Sequence, residues 1–331
     1  AREQVAGILN CSPQDVIFTS GGTESNNHAI LGMARQLKEK GNHIITSSFE
    51  HPAVFEVCGH LARHGFEISY LPVSPEGLVD PGDVAAAIQE STILISIMHA
   101  NNEVGTVQPL ADISRVARDH GIALHTDAAQ SVGKIPIDVQ ELGVDLLSVA
   151  GQKVYAPKGI GALYVRSPLE LERFCLGAGQ EKGRRAGTEN VMGIVGLGTA
   201  CEIAQKGLDK NMARMTYLRD RLHEGLLSRL PDIRLNGSQA QRLPNTVSLS
   251  FKSLEANRIL EEIGLDVAAS AGAACHADTV ELSHVLIAMG LPVEWAKGTL
   301  RFSVGRMTTE AEIDKAIRVV ADAVEKLRAA C

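Results

Sequence analysis

Residues Ser148 to Gly161 read SVAGQKVYAPKGIG, and the rest of the chain is parsed outward from them. An apolar run from Val144 to Val149 ends at Gly151, and Lys153 follows with Pro157, Gly159 and Gly161 behind it. The run has the length of a buried strand and the glycines and proline describe a turn, so Lys153 sits just past a strand. Burial there is expected to desolvate the ammonium, lower its pKa and free the amine to form a Schiff base with an aldehyde. An ordinary surface lysine in a loop fits the same residues, and the rest of the chain has to decide.

The same grammar recurs on the N-terminal side. VIFTS (16–20) breaks at Gly21-Gly22, and apolar side chains then follow at Ile30, Met33, Ala34 and Leu37. This is strand, glycine turn, helix. HIITSS from His43, FEISYL from Phe66, TILISIM from Thr92 and IALHT from Ile122 repeat it, with helices expected from about Pro52, Pro81 and Pro109. Strands near 145–149 and 161–165 extend the series. Such alternation predicts an α/β fold with a mostly parallel sheet flanked by helices and ligands at the carboxyl ends of the strands.

Beyond Arg166 a Gly-rich loop (177–187) leads into a long helical tract over about 191–230. After it, 246–251 reads as a strand, 254–263 as a helix, 299–304 as a strand and 309–327 as a closing helix, with Thr309 and Glu312 suited to a capping box. The expected division is a large domain over 1–205 and a smaller α+β domain over 206–331. Ala1 opens on what looks like the end of a helix, which implies a preceding segment outside this sequence.

Composition narrows the chemistry. A net charge of −7 and 4% aromatic residues over 331 positions leave no basic stripe or stacking platform for nucleic acid. No run of eighteen apolar residues suits a membrane span and no basic n-region is followed by an apolar core, so a soluble, cytoplasmic protein is expected. The six cysteines lack C-x-x-C spacing and the eleven histidines lack H-x-x-x-H pairing, which argues against a disulfide framework or a metal site. Any reactive cysteine acts singly.

Several residues can serve the lysine. Gly21-Gly22-Thr23, between a strand and a helix, offers backbone N–H groups, a helix dipole and a hydroxyl to a phosphate, although a Gly-Gly turn is also common for structural reasons. Asp127 closes IALHTD and can pair with a protonated pyridine nitrogen, as in pyridoxal 5′-phosphate (PLP), and Gln130 can donate to the ring oxygen. A capping aspartate fits that position equally well. Asn102 can contact the ring oxygen or a substrate. His51 can stack on a flat ring or simply begin a helix.

Taken together, FTSGGTESNN, EHPAV, SIMHANNEVGTVQP, HTDAAQSVGKIPID, KVYAPKGIGALYVR, AGTEN, SAGAACHAD and LRFSVGR, in this order, resemble the PLP-dependent cysteine desulfurases and selenocysteine lyases of the class V aminotransferase group. The resemblance implies the type I fold of PLP-dependent transferases. It implies that Lys153 carries the cofactor and that Asp127 sits under the pyridine nitrogen, with Gln130, Asn102 and Gln152 at the cofactor, His51 stacked on it, and Gly22 and Thr23 at its phosphate. Thr188 would reach the phosphate of a partner subunit in a homodimer, and Arg301 would clamp the substrate carboxylate, a task suited to a planar guanidinium. Cys275, in a stretch of small residues read as a flexible loop, would form the persulfide; taken alone, such a cysteine also reads as a small buried hydrophobe. Lys153, Cys275 and His51 are thus the implied catalytic residues.

The implied reaction converts L-cysteine to L-alanine and passes sulfur through the persulfide to an iron-sulfur scaffold or other acceptor. A selenocysteine lyase acting on L-selenocysteine, or a scaffold that retains the fold without turnover, are the alternatives. Two positions depart from the family's pattern: Ala150 stands where a hydroxyl residue is usual, and Gln152 where a histidine is usual. Weakened phosphate anchoring is expected from the first, and loss of a titrating group from the second.

Overall fold

The computed structural model describes residues 1–276 and 279–330, with 273–276 and 279–281 described by their backbone alone. The chain divides into two compact units, one of residues 1–72, 79–101 and 108–208, the other of 73–78, 102–107 and 209–331.

The first unit is built on a seven-stranded sheet of β1 (Val16–Thr19), β2 (His43–Ser47), β3 (Glu67–Leu71), β4 (Thr92–Ser96), β5 (Ala123–Asp127), β6 (Leu146–Ala150) and β7 (Gly161–Val165), in the order β1-β7-β6-β5-β4-β2-β3. β2 to β6 pair in parallel, and β7 runs antiparallel to β6 and β1. Helices α1 (Arg2–Leu9), α2 (Gly22–Gln36), α3 (Pro52–Ala62), α4 (Pro81–Ala87), α5 (Leu110–Asp119), α6 (Val139–Leu142) and α7 (Val191–Lys206) belong to this unit. The central strands are buried on both faces, which is why they read as continuous apolar runs rather than as alternation. The edge strand β3 leaves Glu67 and Tyr70 exposed, and a charge on an edge discourages further pairing. Ile17, Ile30, Met33, Ile44, Leu94 and Leu146 join helix and sheet in one core.

In the second unit, β8 (Ile233–Asn236), β9 (Thr246–Phe251), β10 (Ser270–Ala271) and β13 (Thr299–Ser303) form an antiparallel sheet in the order β10-β13-β9-β8. A separate hairpin joins β11 (Ala273–His276) to β12 (Thr279–Leu282). The helices are α8 (Leu208–Arg229, all but its first residue), α9 (Ala256–Ile263), α10 (His284–Ala288), α11 (Val293–Ala296) and α12 (Glu310–Ala329). Leu222, Leu249, Phe251, Ile259, Leu300 and Val324 pack between them. The expected capping box is present: Thr309 Oγ1 accepts from Glu312 N at 3.3 Å and Glu312 Oε2 accepts from Thr309 N at 2.8 Å. The tract expected as one helix over 191–230 is two, divided at Gly207.

Candidate active site

The residues of the first unit singled out by the sequence converge at the carboxyl ends of β1, β2, β5 and β6, where doubly wound sheets bind ligands. Register accounts for part of this. Asp127 lies opposite Ser148 in the parallel β5–β6 pair, so the end of β5 and the turn after β6 open on one edge.

Asp127 is 5% exposed. Its Oδ2 accepts from Asn26 Nδ2 at 2.7 Å and its Oδ1 from Ala129 N at 2.8 Å. Among the described residues, no cation lies within ion-pair distance of it. The Oδ1 of Asn26, also buried, has no partner among the described residues. Its two hydrogen bonds satisfy part of this buried carboxylate but supply no counter-charge, which suits a ligand that brings a cationic N–H. A PLP pyridinium is such a ligand.

The phosphate end fits as well. Gly21, the N-cap of the fifteen-residue α2, makes no side-chain cap, so the first-turn N–H groups are left for an anion. Gly21 takes φ 155°, a conformation open to glycine. A Cβ on Gly22 would lie 3.0 Å from Ala150 Cβ and 3.9 Å from Ala129 Cβ, which brings three segments of the site into contact at one point. Thr23 is exposed on the first turn. With His51 it lines a groove of about 510 Å³ between α2 and α3.

His51 is the N-cap of α3. Its Nδ1 accepts from Ala53 N at 3.0 Å, which leaves the proton of a neutral ring on Nε2, and the ring is exposed. The two sequence readings of this histidine are therefore compatible, since capping uses one edge of the ring and stacking would use a face.

Lys153 departs from expectation. It lies in a 3₁₀ turn, Gly151–Val154, in which Gly151 and Val154 point inward while Gln152 and Lys153 are exposed. The desolvation expected of Lys153 is absent because the three-residue period of the turn brings positions 151 and 154 to the inner side together. Gln130 is half-buried. Thr188 is exposed and lines a cavity of about 70 Å³ with Ser20, Gly159 and Arg185. Arg185 is held in turn by Glu24 of α2, through Nε at 2.7 Å and Nη2 at 3.0 Å.

Two features had no counterpart in the sequence reading. The first is a buried polar row across the sheet: His125 Nδ1 lies 2.8 Å from Ser96 Oγ and its Nε2 3.1 Å from Ser148 Oγ. Burial pushes His125 down to about 3, so the ring stays neutral two residues before Asp127 and on the same face. The second is Glu50, beside His51, which accepts from Ser47 Oγ at 2.8 Å and Met98 N at 2.9 Å. Burial pushes its carboxyl up to about 8, against the pull of those hydrogen bonds and with help from the charge of Asp127.

That shift has a measurable consequence. The folded chain keeps a proton on Glu50 that the unfolded chain releases near 4.5, so wild-type stability falls as pH rises from about 4.5 to about 8 and then levels off. Glu50→Gln keeps an acceptor for Ser47 and Met98 without the ionisation. It is expected to be more stable than wild type by roughly a few kcal/mol at pH 9 and by nothing comparable at pH 5. Denaturant unfolding of both proteins at the two pH values checks this, and an equal gap at both would refute it.

In the second unit, Arg301 on β13 donates from Nη1 to the Asn102 carbonyl at 2.8 Å and from Nη2 to Ser270 Oγ at 2.9 Å. Its Nε is buried without a partner among the described residues, which leaves a donor for a carboxylate. The stretch around Cys275, expected as a loop, has the backbone of a hairpin in which Cys275 pairs with Val280. The side chain of Cys275 lies outside the described residues. Among the described residues no cluster of metal-ligating side chains is found and no helix is long and apolar enough to cross a membrane.

The aminotransferase class-V profile matches residues 1–316. The chain is 48% identical to the cysteine desulfurase IscS of Dictyoglomus turgidum over 329 residues, covering 99% of this chain and 84% of that protein. It is 47% identical to the cysteine desulfurase IscS of Methanosarcina thermophila, covering 99% and 81%. Among solved structures, a NifS-like protein superposes with a TM-score of 0.92 at 35% identity, covering 98% of this chain and 86% of that one. SspA in complex with cysteine superposes with a TM-score of 0.79 at 40% identity, covering 93% and 86%. The profile match and the identity to these relatives show the family: the chain belongs to the cysteine desulfurase group of the class-V aminotransferases.

Proposed function

We propose that this chain is a PLP-dependent cysteine desulfurase that converts L-cysteine to L-alanine and takes the sulfur onto Cys275 as a persulfide, for delivery to an iron-sulfur scaffold or other acceptor. The observation that carries the reading is the buried Asp127 carboxylate, engaged by Asn26 and Ala129 and lacking a cation among the described residues, at the same sheet edge as Lys153 and the uncapped start of α2. The names of the relatives and the cysteine held by SspA support the substrate.

When bound, PLP supplies an electron sink for the electron pair left at the substrate Cα. The first turn of α2 and Thr23 would receive the phosphate, Asp127 would hold positive charge at the ring nitrogen, Gln130 would donate to the ring oxygen, and His51 would lie against the ring. Asn102 and Gln152 would add polar contacts to the cofactor or substrate. Lys153, exposed and on a flexible stem, would take the α-proton, while Arg301 would hold the substrate carboxylate through its unpartnered Nε. The Cys275 thiolate then attacks the substrate sulfur. A sulfur–sulfur bond forms, the carbon–sulfur bond breaks with its electron pair left on carbon, a proton taken up there makes the methyl group, and the α-proton held by Lys153 returns to Cα to complete alanine.

Of the four cysteines whose side chains are described, three are set against this role, and the half-buried Cys175 is the one the experiment has to separate from Cys275. Burial pushes Cys58 and Cys201 up to about 12, and burial with the charge of Asp15 does the same to Cys11, so these three stay protonated and unreactive. Cys275→Ala is expected to bind PLP like wild type and to form no persulfide. Mass spectrometry after cysteine treatment and alkylation should show one added sulfur on Cys275 in wild type alone; an added sulfur at another cysteine in the variant would sink the assignment.

A homodimer follows from the same reading. Val191, Met192 and Val195 at the start of α7 are 65%, 85% and 55% exposed, and they adjoin the loop carrying Thr188. Apolar surface of that kind beside a residue expected to reach a partner's phosphate suits a second copy of the chain.

The departure at position 150 yields a further expectation. Ala150 is 5% exposed and faces Gly22, so it offers no hydrogen bond to the anion site. Ala150→Ser is expected to tighten PLP binding roughly 10- to 150-fold, the worth of one hydrogen bond to a charged group. Equilibrium titration with PLP measures it, and an unchanged affinity would show that the site does not use a hydroxyl there.

A further inference from the structure

Lys134 stands out among the buried side chains that the mechanism does not use. It is 9% exposed, and among the described residues no carboxylate lies within ion-pair distance of it. Its Nζ donates to the main-chain carbonyl of Gln130 at 2.8 Å and lies 3.5 Å from Gln130 Oε1.

The loop between them is held at several points. Ser131 N and Val132 N donate to the Ala128 carbonyl, and Lys134 N and Ile135 N donate to the Ser131 carbonyl. Ser131 Oγ lies 2.9 Å from His99 Nδ1. Gly133 takes φ 75°, and a Cβ there would come within 2.7 Å of Val154 Cγ2. The loop is therefore pressed against the turn that carries Lys153, next to the residue that follows it. Burial first, and the charge of Lys153 second, push the Lys134 amine down to about 7. An amine that is largely uncharged above neutrality can donate its N–H groups without leaving a buried cation.

We propose that Lys134 is a positioning residue that determines which way round the Gln130 side-chain amide is held. The ammonium form of Lys134 has donors only, and the neutral amine keeps two N–H groups beside its one lone pair, so donation to Oε1 is the arrangement open to both forms; it favours the carbonyl end of the amide and leaves the Nε2 N–H groups as the end presented to an acceptor. With the amide reversed, the ammonium form would face a second donor at 3.5 Å. The inference rests on the reading above, in which Gln130 donates to the ring oxygen of PLP, and it assigns to a residue outside that set the task of aiming the donor.

A double-mutant cycle on PLP binding tests this, with Lys134→Met, Gln130→Ala and the pair compared with wild type for PLP dissociation constant and visible band position. Lys134→Met is expected to weaken PLP binding about 3- to 10-fold and to displace the band in the same direction as Gln130→Ala. The pair should match Gln130→Ala within about twofold. If the Lys134→Met loss persists in full in the Gln130→Ala background, or its band stays at the wild-type position, Lys134 acts through packing and the inference is overturned. Should Lys134→Met not fold, Lys134→Gln enters the same cycle with the same expectation, because an amide there can accept as well as donate. Wild type that takes up no PLP would refute the functional reading and this inference with it, whereas a PLP-loaded wild type with additive losses would refute the inference alone.

Discussion

Lys153→Ala is expected to lose desulfurase turnover on the order of 10⁴-fold, the upper end of what one positioned proton-transfer group supplies, and to lose the lysine-linked visible band as well. Two neighbours do not replace it. Gln152 shares the exposed side of the turn but has no amine, and the Lys134 amine is committed to Gln130. The fold should survive, because Lys153 is exposed and the turn is held by Gly151 N on the Ile160 carbonyl and Ala156 N on the Gly151 carbonyl, at 3.0 Å each. PLP should still bind weakly through the α2 amides and Asp127. A spectrum and turnover number equal to wild type would remove Lys153 from the mechanism.

Asp127→Asn is the second large effect, expected to lower turnover about 10²- to 10³-fold, comparable to removing one preorganised electrostatic contact from an active site. The amide keeps an oxygen to accept from Asn26 or from Ala129 N but cannot offer both acceptors and no longer carries charge. Positive charge at the ring nitrogen would then have no counter-charge in a buried setting, and the electron sink would weaken. Loss of turnover with PLP still bound distinguishes this role from a purely structural one, for which affinity and thermal stability would fall together. Full activity of the variant would contradict it.

Much of this site is written in local sequence. The central strands announce themselves because burial on both faces demands unbroken apolar runs, and the closing helix because its capping box and apolar stripe are short-range patterns. Asp127 and Lys153 could be placed on one sheet edge from strand ends alone. What supports them was not legible in that way. Asn26 meets Asp127 across 101 positions and Arg301 meets the Asn102 carbonyl across 199, and no local signal foretells either contact. The exposure of Lys153 depends on the handedness and period of a four-residue turn, which composition does not encode. Glu50 and His125 look like polar residues near strands, and only the closed sheet shows that both are buried and held neutral over part of the ordinary pH range. The Lys134–Gln130 contact had a usable signal in its four-residue spacing, but that spacing carries weight only where the segment turns.

The central claim is tested most directly in one cuvette. The purified protein, supplemented with PLP and freed of excess, is scanned in the visible range, and L-cysteine is then added while alanine and released sulfur are assayed. A visible band that changes on addition of cysteine, with alanine formed in step with sulfur, is the predicted result. No band after PLP loading, or a band that cysteine alters without any alanine being formed, would contradict it.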